Sequence, residues 1–122
     1  MGKKILVVDD SRTARQQVIS ALDGSGYEVL EAVDGKDGLT KLAANLDTTL
    51  VICDVNMPKM SGLEMLVEAR QNPAMVGTPF LMLTTEAQPE LVQQARQAGA
   101  KGWIIKPFKP EMLVTAVKKI AG

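Results

Sequence analysis

Residues 4–11 of the chain read Lys-Ile-Leu-Val-Val-Asp-Asp-Ser, a short apolar run that ends in two aspartates. A run that is apolar without alternation is typical of a strand that a parallel sheet buries on both faces. Further along, Ala14, Val18 and Leu22 fall on one stripe, which indicates an amphipathic helix. A strand followed at once by such a helix is the first half of a βαβ unit, so this stretch favours an α/β fold.

The same alternation of apolar runs and amphipathic segments repeats along the chain. Strands are predicted at Lys4–Val8, Tyr27–Ala32 (a mixed run, typical of an edge strand), Leu50–Cys53, Phe80–Thr84 and Gly102–Lys106. Helices are predicted at 11–25, 35–44, 61–71, 89–98 and from Pro110 onward. Asp34 is the expected cap of the second helix, and Ser61 with Glu64 forms a predicted capping box for the third. The pattern predicts one doubly wound domain over residues 1–122, with five parallel strands, five helices and no output domain.

Composition excludes several function classes. The chain carries 14 basic and 14 acidic residues, so it lacks the basic surface of a nucleic-acid-binding protein. No apolar run approaches the length of a membrane span. A single cysteine, Cys53, is typical of a protein from the reducing cytoplasm, where we expect this chain to act. The absence of histidine excludes imidazole catalysis and the usual zinc sites.

Polar side chains collect where the predicted strands end. Asp9 and Asp10 follow the first strand, Asp54 follows the third, Thr84 ends the fourth, and Lys106 ends the fifth. In an open doubly wound sheet the ligand binds beyond the carboxyl ends of the strands. Each residue alone has an ordinary interpretation as a cap, a turn residue or a solvated charge. Their joint placement on one edge favours a single site.

The charges of this predicted site indicate the kind of ligand it binds. Two carboxylates about 4 Å apart repel each other by about 1 kcal/mol in water and about 4 kcal/mol at an effective dielectric near 20. A bound cation offsets that repulsion. Oxygen ligands without Cys or His are typical of a hard cation, and Mg²⁺ takes one or two carboxylates together with a phosphate.

With these residues in place, the chain resembles the receiver domain of two-component response regulators over essentially its whole length. The matching stretches, in order, are Ile5-Leu6-Val7-Val8-Asp9-Asp10-Ser11, Asp54-Val55-Asn56-Met57-Pro58-Lys59-Met60-Ser61-Gly62, Leu83-Thr84-Thr85-Glu86-Ala87, Gly99-Ala100 and Lys106-Pro107-Phe108. The resemblance implies a flavodoxin-like sheet with strand order 2-1-3-4-5. It also suggests a cis peptide bond between Lys106 and Pro107.

The resemblance assigns expected roles around the acidic residues. Asp54 is the expected nucleophile, which takes a phosphoryl group from a phosphohistidine on a separate sensor histidine kinase. Asp10 and Asp54, with the backbone carbonyl of Asn56, are the expected ligands of Mg²⁺, which Mn²⁺ can replace. Asp9 is expected to act mainly through a bound water.

Further roles concern the phosphoryl group and the signal that leaves it. Thr84 and Lys106 are expected to hold phosphoryl oxygens, and Thr84 is expected to move toward the group. Trp103 stands where the family more often has Tyr or Phe, so it is either the switch residue or a ring packed on the surface between the last two helices. Asn56 and Glu86 are expected to tune the phosphoryl lifetime, and this pair indicates short-lived phosphorylation.

These expectations describe a stand-alone, chemotaxis-type response regulator, which assists its own phosphorylation and dephosphorylation but is not an enzyme. An output protein is expected to dock on the surface of the fourth helix, fifth strand and fifth helix. One alternative is a receiver excised from a hybrid kinase or a phosphorelay intermediate. A phosphatase of the haloacid-dehalogenase type requires Asp-x-Asp, whereas this chain has Asp9-Asp10-Ser11. A flavodoxin-like cofactor carrier and a receiver without phosphorylation fit the residues poorly.

Overall fold

The computed structural model describes residues 2–122. Strands and helices alternate strictly along these residues. The elements are β1 (Lys4–Val8), α1 (Arg12–Leu22), β2 (Glu28–Ala32), α2 (Gly35–Ala44), β3 (Thr48–Cys53), α3 (Gly62–Gln71), β4 (Phe80–Thr84), α4 (Pro89–Gln97), β5 (Gly102–Ile105) and α5 (Pro110–Ala121). None of the helices in residues 2–122 combines the length and the apolar character that a bilayer-crossing segment needs.

The strands form one parallel sheet in the order β2-β1-β3-β4-β5. This confirms the predicted fold class, the predicted strand order and the placement of β2 at an edge. Val8 at the end of β1 pairs with both Ala32 and Cys53. Because β1 and β3 end level with each other, the residues that follow them, Asp9 and Asp54, emerge side by side.

Each face of the sheet carries its own apolar core, because successive side chains of a strand point to opposite faces. Leu6 and Val8 face α2, α3 and α4, with Met65 and Leu66 among their partners. The alternate residues face α1 and α5; this second core contains Ile5, Val7, Val18, Leu22, Leu50, Ile52, Leu81, Leu83, Leu113, Val117 and Ala121. Helices on both faces explain why β1, β3 and β4 are apolar without alternation.

The first helix is shorter than predicted. Ser11 is its N-cap, accepting a hydrogen bond from the backbone N–H of Ala14 at 3.2 Å. The predicted end at Ser25 is wrong, since the helix stops at Leu22. Gly24 and Gly26 have φ of 79° and 86°, a left-handed conformation that ends the helix early at little cost only because both are glycine.

Other boundaries differ by one or two residues. β3 begins at Thr48, before the predicted Leu50, because Thr48 pairs with Lys4 across a local irregularity in the ladder. Three smaller corrections are the start of β2 at Glu28, the end of α4 at Gln97 and the end of β5 at Ile105. Met112, in the first turn of α5, is half exposed.

The start of α3 lies directly against the chain that follows β3. The predicted capping box is present: Ser61 N–H donates to Glu64 at 3.0 Å, and Glu64 N–H donates to the Ser61 hydroxyl at 3.2 Å. Gly62 packs so closely that an added Cβ would lie 2.0 Å from the backbone oxygen of Asp54. The predicted cap of α2 is also present, since Asp37 N–H donates to the Asp34 carboxylate at 2.8 Å.

Candidate functional site

Three carboxylates meet beyond the ends of β1 and β3. One oxygen from each of Asp9, Asp10 and Asp54 can be chosen so that all lie within 4.8 Å of one another. The Asp9 side chain is buried and that of Asp54 is 12 % exposed, while Asp10 faces solvent. The level ends of the two neighbouring strands produce this cluster, which joins residues 45 positions apart in the chain.

Lys106 brings a positive charge into the cluster. Its Nζ donates to Asp9 Oδ2 at 2.7 Å and to Asp54 Oδ2 at 3.2 Å, and its side chain is 16 % exposed. The backbone N–H of Lys106 donates to the carbonyl of Thr84, which continues the pairing of β4 with β5 to the edge of the sheet. The Lys106–Pro107 peptide bond is cis, as the family resemblance suggested.

Burial and charge act in opposite directions on these groups. Burial raises the pKa of Asp9 above its ordinary value of 3.8, and the hydrogen bonds from Lys106 and from Ser11 N–H only partly offset it. Burial alone would lower the pKa of Lys106, but its bond to Asp9 and the attraction of both carboxylates outweigh burial and raise it. The ammonium therefore stays protonated and offsets the repulsion within the cluster.

The donor set fits a hard divalent cation. It offers carboxylate oxygens only, without sulfur or imidazole, and that chemistry suits Mg²⁺ or Mn²⁺. Asn56 lies in the adjoining loop and is exposed; its backbone N–H donates to Asp54 Oδ1 at 3.2 Å. The exposed Asp10 leaves the cluster accessible from solvent, as a cation that keeps several waters requires.

A short chain of hydrogen bonds leads from the end of β4 to β5. The buried Thr84 accepts, at its hydroxyl, the backbone N–H of Glu86 at 3.2 Å. The carbonyl of Glu86 accepts the indole N–H of Trp103 at 2.9 Å. The ring of Trp103 is half-buried and packs against the core on the α2, α3 and α4 side of the sheet.

Arg15, in the first turns of α1, also contacts the site. Its Nη1 donates to the backbone carbonyl of Asp9 at 2.7 Å, and its Nε donates to Glu31 at 2.8 Å. An arginine on a predicted amphipathic helix normally indicates a solvated charge, so only its spacing of five residues from Asp10 hinted at a role. The close approach of Gly62 to the Asp54 backbone also could not be predicted from the sequence pattern.

Comparisons with known proteins agree with this geometry. The sequence profile described as "Response regulator receiver domain" matches residues 5–118. The chain is 41% identical over 120 residues to the chemotaxis protein CheY1 of Helicobacter pylori, covering 98% of this chain and 97% of that protein. It is 38% identical to a chemotaxis protein CheY homolog of Campylobacter jejuni, covering 98% and 92%.

A solved structure agrees as well. The chemotaxis protein CheY4 of Vibrio cholerae superposes with a TM-score of 0.90 at 42% identity, covering 98% of this chain and 99% of that one. Phosphorylation by a kinase is the general function of such receivers, and a histidine kinase and an output protein are their general partners. Strand order, acidic cluster and profile match all lead to one assignment: the chain belongs to the response regulator receiver domain family of phospho-accepting signalling proteins.

Proposed function

We propose that Asp54 accepts a phosphoryl group from a phosphohistidine on a separate sensor histidine kinase. The observation that carries this proposal is the meeting of three carboxylates with Lys106 at one point of the sheet edge. Asp54 is the member that lies deep enough to be shielded yet keeps 12 % of its side chain exposed to an incoming donor. The chain contains no histidine, so the phosphohistidine that donates the group belongs to another protein.

The transfer needs positioning and charge neutralisation more than covalent help. An oxygen of the Asp54 carboxylate forms a bond to phosphorus while the nitrogen–phosphorus bond of the donor breaks, and the departing imidazole takes up a proton. The backbone N–H of Asn56, 3.2 Å from Asp54 Oδ1, and Nζ of Lys106, 3.2 Å from Oδ2, fix the carboxylate for this attack. Such pre-formed contacts reduce the reorganisation that the reaction requires.

The acidic cluster holds Mg²⁺, which Mn²⁺ can replace. Asp10, Asp54 and the backbone carbonyl of Asn56 are the proposed ligands, and Asp9 contributes its charge through a bound water. When bound, the metal neutralises the negative charge that builds up on the phosphoryl oxygens. The oxygen-only donor set and the accessibility of Asp10 support this assignment.

Two further side chains receive the phosphoryl group. Lys106 already contacts Asp54, and its ammonium can exchange a carboxylate oxygen for a phosphoryl oxygen without leaving the site. Thr84 ends the strand beside β3, and its hydroxyl can turn from Glu86 N–H toward the new acceptor. These two contacts tie the phosphoryl group to the ends of β4 and β5.

The signal then leaves along the hydrogen bonds that join Thr84, Glu86 and Trp103. Movement of Thr84 changes the hydrogen bond that its hydroxyl accepts from Glu86 N–H and so shifts the Glu86 backbone. The carbonyl of Glu86 accepts the Trp103 indole N–H at 2.9 Å, so the shift reaches the ring. Trp103 is the proposed switch residue. It opens toward both α4 and α5, since it lines one cavity with Val92 and another with Ile120. An output protein is proposed to dock on the face formed by α4, β5 and α5.

The relatives favour a chemotaxis pathway for this chain, in which it acts as a cytoplasmic regulator. Both proteins cited for sequence identity carry chemotaxis in their names. The single free cysteine, Cys53, fits a reducing compartment. Asn56 and Glu86 border the site and are proposed to keep the phosphoryl lifetime short, so that the protein assists its own dephosphorylation. A phosphorylated form that persisted for many hours in Mg²⁺ would contradict this last point.

Incubation with acetyl phosphate and Mg²⁺ tests the acceptor directly. The expected result is one added phosphoryl group per chain by intact mass, which borohydride reduction and peptide mapping locate at residue 54. Asp54→Asn should abolish it, whereas Asp47→Asn, at an exposed carboxylate outside the cluster, should leave it unchanged. A second arm replaces acetyl phosphate with a phosphorylated chemotaxis-type histidine kinase.

The same variants distinguish the acceptor from a phosphatase. Sustained turnover of phosphate esters that is lost in Asp9→Asn but kept in Asp54→Asn would place the nucleophile after β1 and overturn the proposal. Modification of a residue other than Asp54 in the peptide map would do the same.

A further inference from the structure

Arg15 holds the peptide that joins Asp9 to Asp10. Its Nη1 donates to the Asp9 carbonyl at 2.7 Å, a short charge-assisted hydrogen bond. The guanidinium is held from its other edge, because Nε donates to a carboxylate oxygen of Glu31 at 2.8 Å. The side chain is 11 % exposed, so solvent competes little for these donors. Arg15 therefore forms a bridge from β2 to the loop that carries the acidic residues.

The other hydrogen bonds of Asp9 hold its N–H and its side chain. The direction of the Asp10 side chain therefore depends on the peptide that Arg15 holds. Asp9 is fixed by its N–H, which donates to Ala32 O at 3.1 Å, and by its side chain, which accepts from Ser11 N–H at 2.9 Å and from Lys106. A peptide unit is planar, and Asp10 Cα belongs to the same plane as the Asp9 carbonyl. Holding that carbonyl therefore sets the direction in which the exposed Asp10 side chain leaves the backbone.

Glu31 is itself well placed to hold Arg15. It lies on β2 and pairs with Val7 of β1. Its backbone carbonyl accepts the ammonium of Lys41 at 2.6 Å, which ties this part of β2 to α2. The guanidinium fork thus has one partner on a paired strand and the other on the β1–α1 loop, and its two donor directions match them.

We propose that Arg15, held by Glu31, is a positioning residue that orients Asp10 for the divalent cation. This inference rests on the proposed function, in which Asp10 and Asp54 bind Mg²⁺. Arg15 carries a positive charge, so its simple electrostatic effect is to weaken cation binding. Positioning has the opposite effect, because a carboxylate that is already aligned loses less freedom when the metal binds. The two explanations therefore differ in sign.

Calorimetric titration of the metal-free protein with Mg²⁺ separates them. Arg15→Met removes the hydrogen bonds and the charge, and positioning predicts that the Mg²⁺ affinity falls by about tenfold, as for other residues that orient metal ligands. Arg15→Lys keeps the charge but cannot serve both partners, so we expect a smaller loss in the same direction. Arg12→Met removes an equal charge from an exposed position on α1 and should leave the affinity within about twofold of wild type.

A second measurement needs no metal. The amide nitrogen of Asp10 belongs to the peptide that Arg15 holds, so its nuclear magnetic resonance shift should move in the metal-free Arg15→Met protein and stay in place in Arg12→Met. A merely structural role would lower the melting temperature but leave the affinity of the folded protein unchanged. Circular dichroism identifies conditions under which each variant is folded, and Arg15→Lys decides if Arg15→Met does not fold.

Failure of the Arg15 role can be distinguished from failure of the proposed Mg²⁺ site. Equal or tighter Mg²⁺ binding in the folded Arg15 variants, with wild type binding normally, would overturn the positioning role and leave the metal site standing. An unmoved Asp10 amide in Arg15→Met would also overturn it. Wild-type protein that binds no Mg²⁺ would overturn the metal site and the role of Arg15 together.

Discussion

At the scale of single residues, Lys106 acts as the counter-charge of the acidic cluster. Its ammonium lies 2.7 Å from Asp9 and 3.2 Å from Asp54, so one cation serves two carboxylates. Asp10 adds a third negative charge nearby. The cluster therefore keeps a net negative charge without metal, and the repulsion destabilises the metal-free fold.

Removing the charge of Asp54 should stabilise the metal-free protein. Asp54→Asn relieves repulsion with Asp9 and Asp10, while Lys106 keeps its shorter bond to Asp9. We expect the melting temperature without metal to rise by about 4 °C, corresponding to roughly 1 kcal/mol. Thermal melts followed by circular dichroism measure it.

Added Mg²⁺ provides the matching control. It should raise the melting temperature of wild type more than that of Asp54→Asn, since only the intact cluster binds it well. Asp47→Asn, at the exposed Lys4 ion pair, should change neither value by more than about 1 °C. A lower melting temperature for Asp54→Asn without metal would contradict the repulsion.

Cys53 should couple stability to alkaline pH. Burial, with some help from the charge of Asp54, raises the pKa of its thiol well above the ordinary value of 9.0. The thiolate therefore forms in the unfolded chain first, so the contribution of Cys53 to the free energy of unfolding is constant below about pH 9 and falls above it. The slope approaches about 1.4 kcal/mol per pH unit. Urea denaturation at pH 8 to 10.5 should show this slope in wild type and a shallower one in Cys53→Ala; parallel curves would contradict it.

At the scale of elements, the contact of α3 with the end of β3 is the tightest near the site. Gly62 N–H donates to Val55 O at 3.0 Å, and an added Cβ would collide with the backbone oxygen of Asp54 and approach Cys53 Sγ to 2.9 Å. Backbone atoms cannot move aside as a flexible side chain can. The absence of a side chain at residue 62 thus lets the helix support the loop that carries Asp54.

Gly62→Ala should therefore be costly. We expect a loss of about 2–4 kcal/mol in the free energy of unfolding, since either α3 or the Asp54 backbone must shift. Phosphorylation by acetyl phosphate should also slow in the fraction that folds. Chemical denaturation measures the first effect and intact mass the second.

Gly77→Ala is the matched control for this substitution. A Cβ at Gly77 meets no atom within 4 Å, and its φ is not in the left-handed region. It should be neutral or stabilising by up to about 1 kcal/mol, because alanine restricts the unfolded chain. Equal losses at both positions would show that the cost at Gly62 is not steric.

The elements also show what sequence patterns can predict. Hydrophobic runs and caps located all ten elements, because burial and capping are local consequences of residue type. The ends of α1 and β3 were missed for different physical reasons. Two left-handed glycines end α1 at Leu22, before the predicted Ser25, and pairing with Lys4 extends β3 backward to Thr48, a contact that lies outside the local sequence.

At the scale of the whole molecule, the site and the proposed output face are linked through few atoms. Thr84, the Glu86 backbone and the Trp103 indole form a continuous path from the end of β4 to β5. Trp103 then borders α4 on one side and α5 on the other. A change at Asp54 can therefore reach both helices through one ring.

Binding of a phosphoryl mimic should alter the fluorescence of Trp103. Beryllofluoride with Mg²⁺ is expected to occupy the place of the phosphoryl group. The Thr84 hydroxyl should then turn toward it, which changes the polarity around the indole. Trp103 is the only tryptophan, so the emission reports on it alone. Asp54→Asn should show no change, and an unchanged wild-type spectrum with binding verified by calorimetry would refute coupling through Trp103.

The predicted residues of the site follow from topology, but their contacts do not. Strand ends in a parallel sheet bring Asp9 and Asp54 together, so their placement was predictable from the order of elements. The bond from Arg15 to the Asp9 carbonyl was not, since it depends on the direction of one backbone oxygen. The hydrogen bond between Trp103 and Glu86 was equally hidden, because it joins a side chain to the backbone of a loop.

The bond between Lys106 and Asp9 joins residues 97 positions apart, so it closes only after β5 has joined the sheet. A chain still emerging from the ribosome, or cut before β5, already contains Asp9, Asp10 and Asp54 but lacks Lys106, their counter-charge. Such a fragment presents only mutually repelling groups and no ammonium to receive a phosphoryl oxygen. Under the proposed function, we therefore expect a chain to accept a phosphoryl group efficiently only once β5 has joined the sheet.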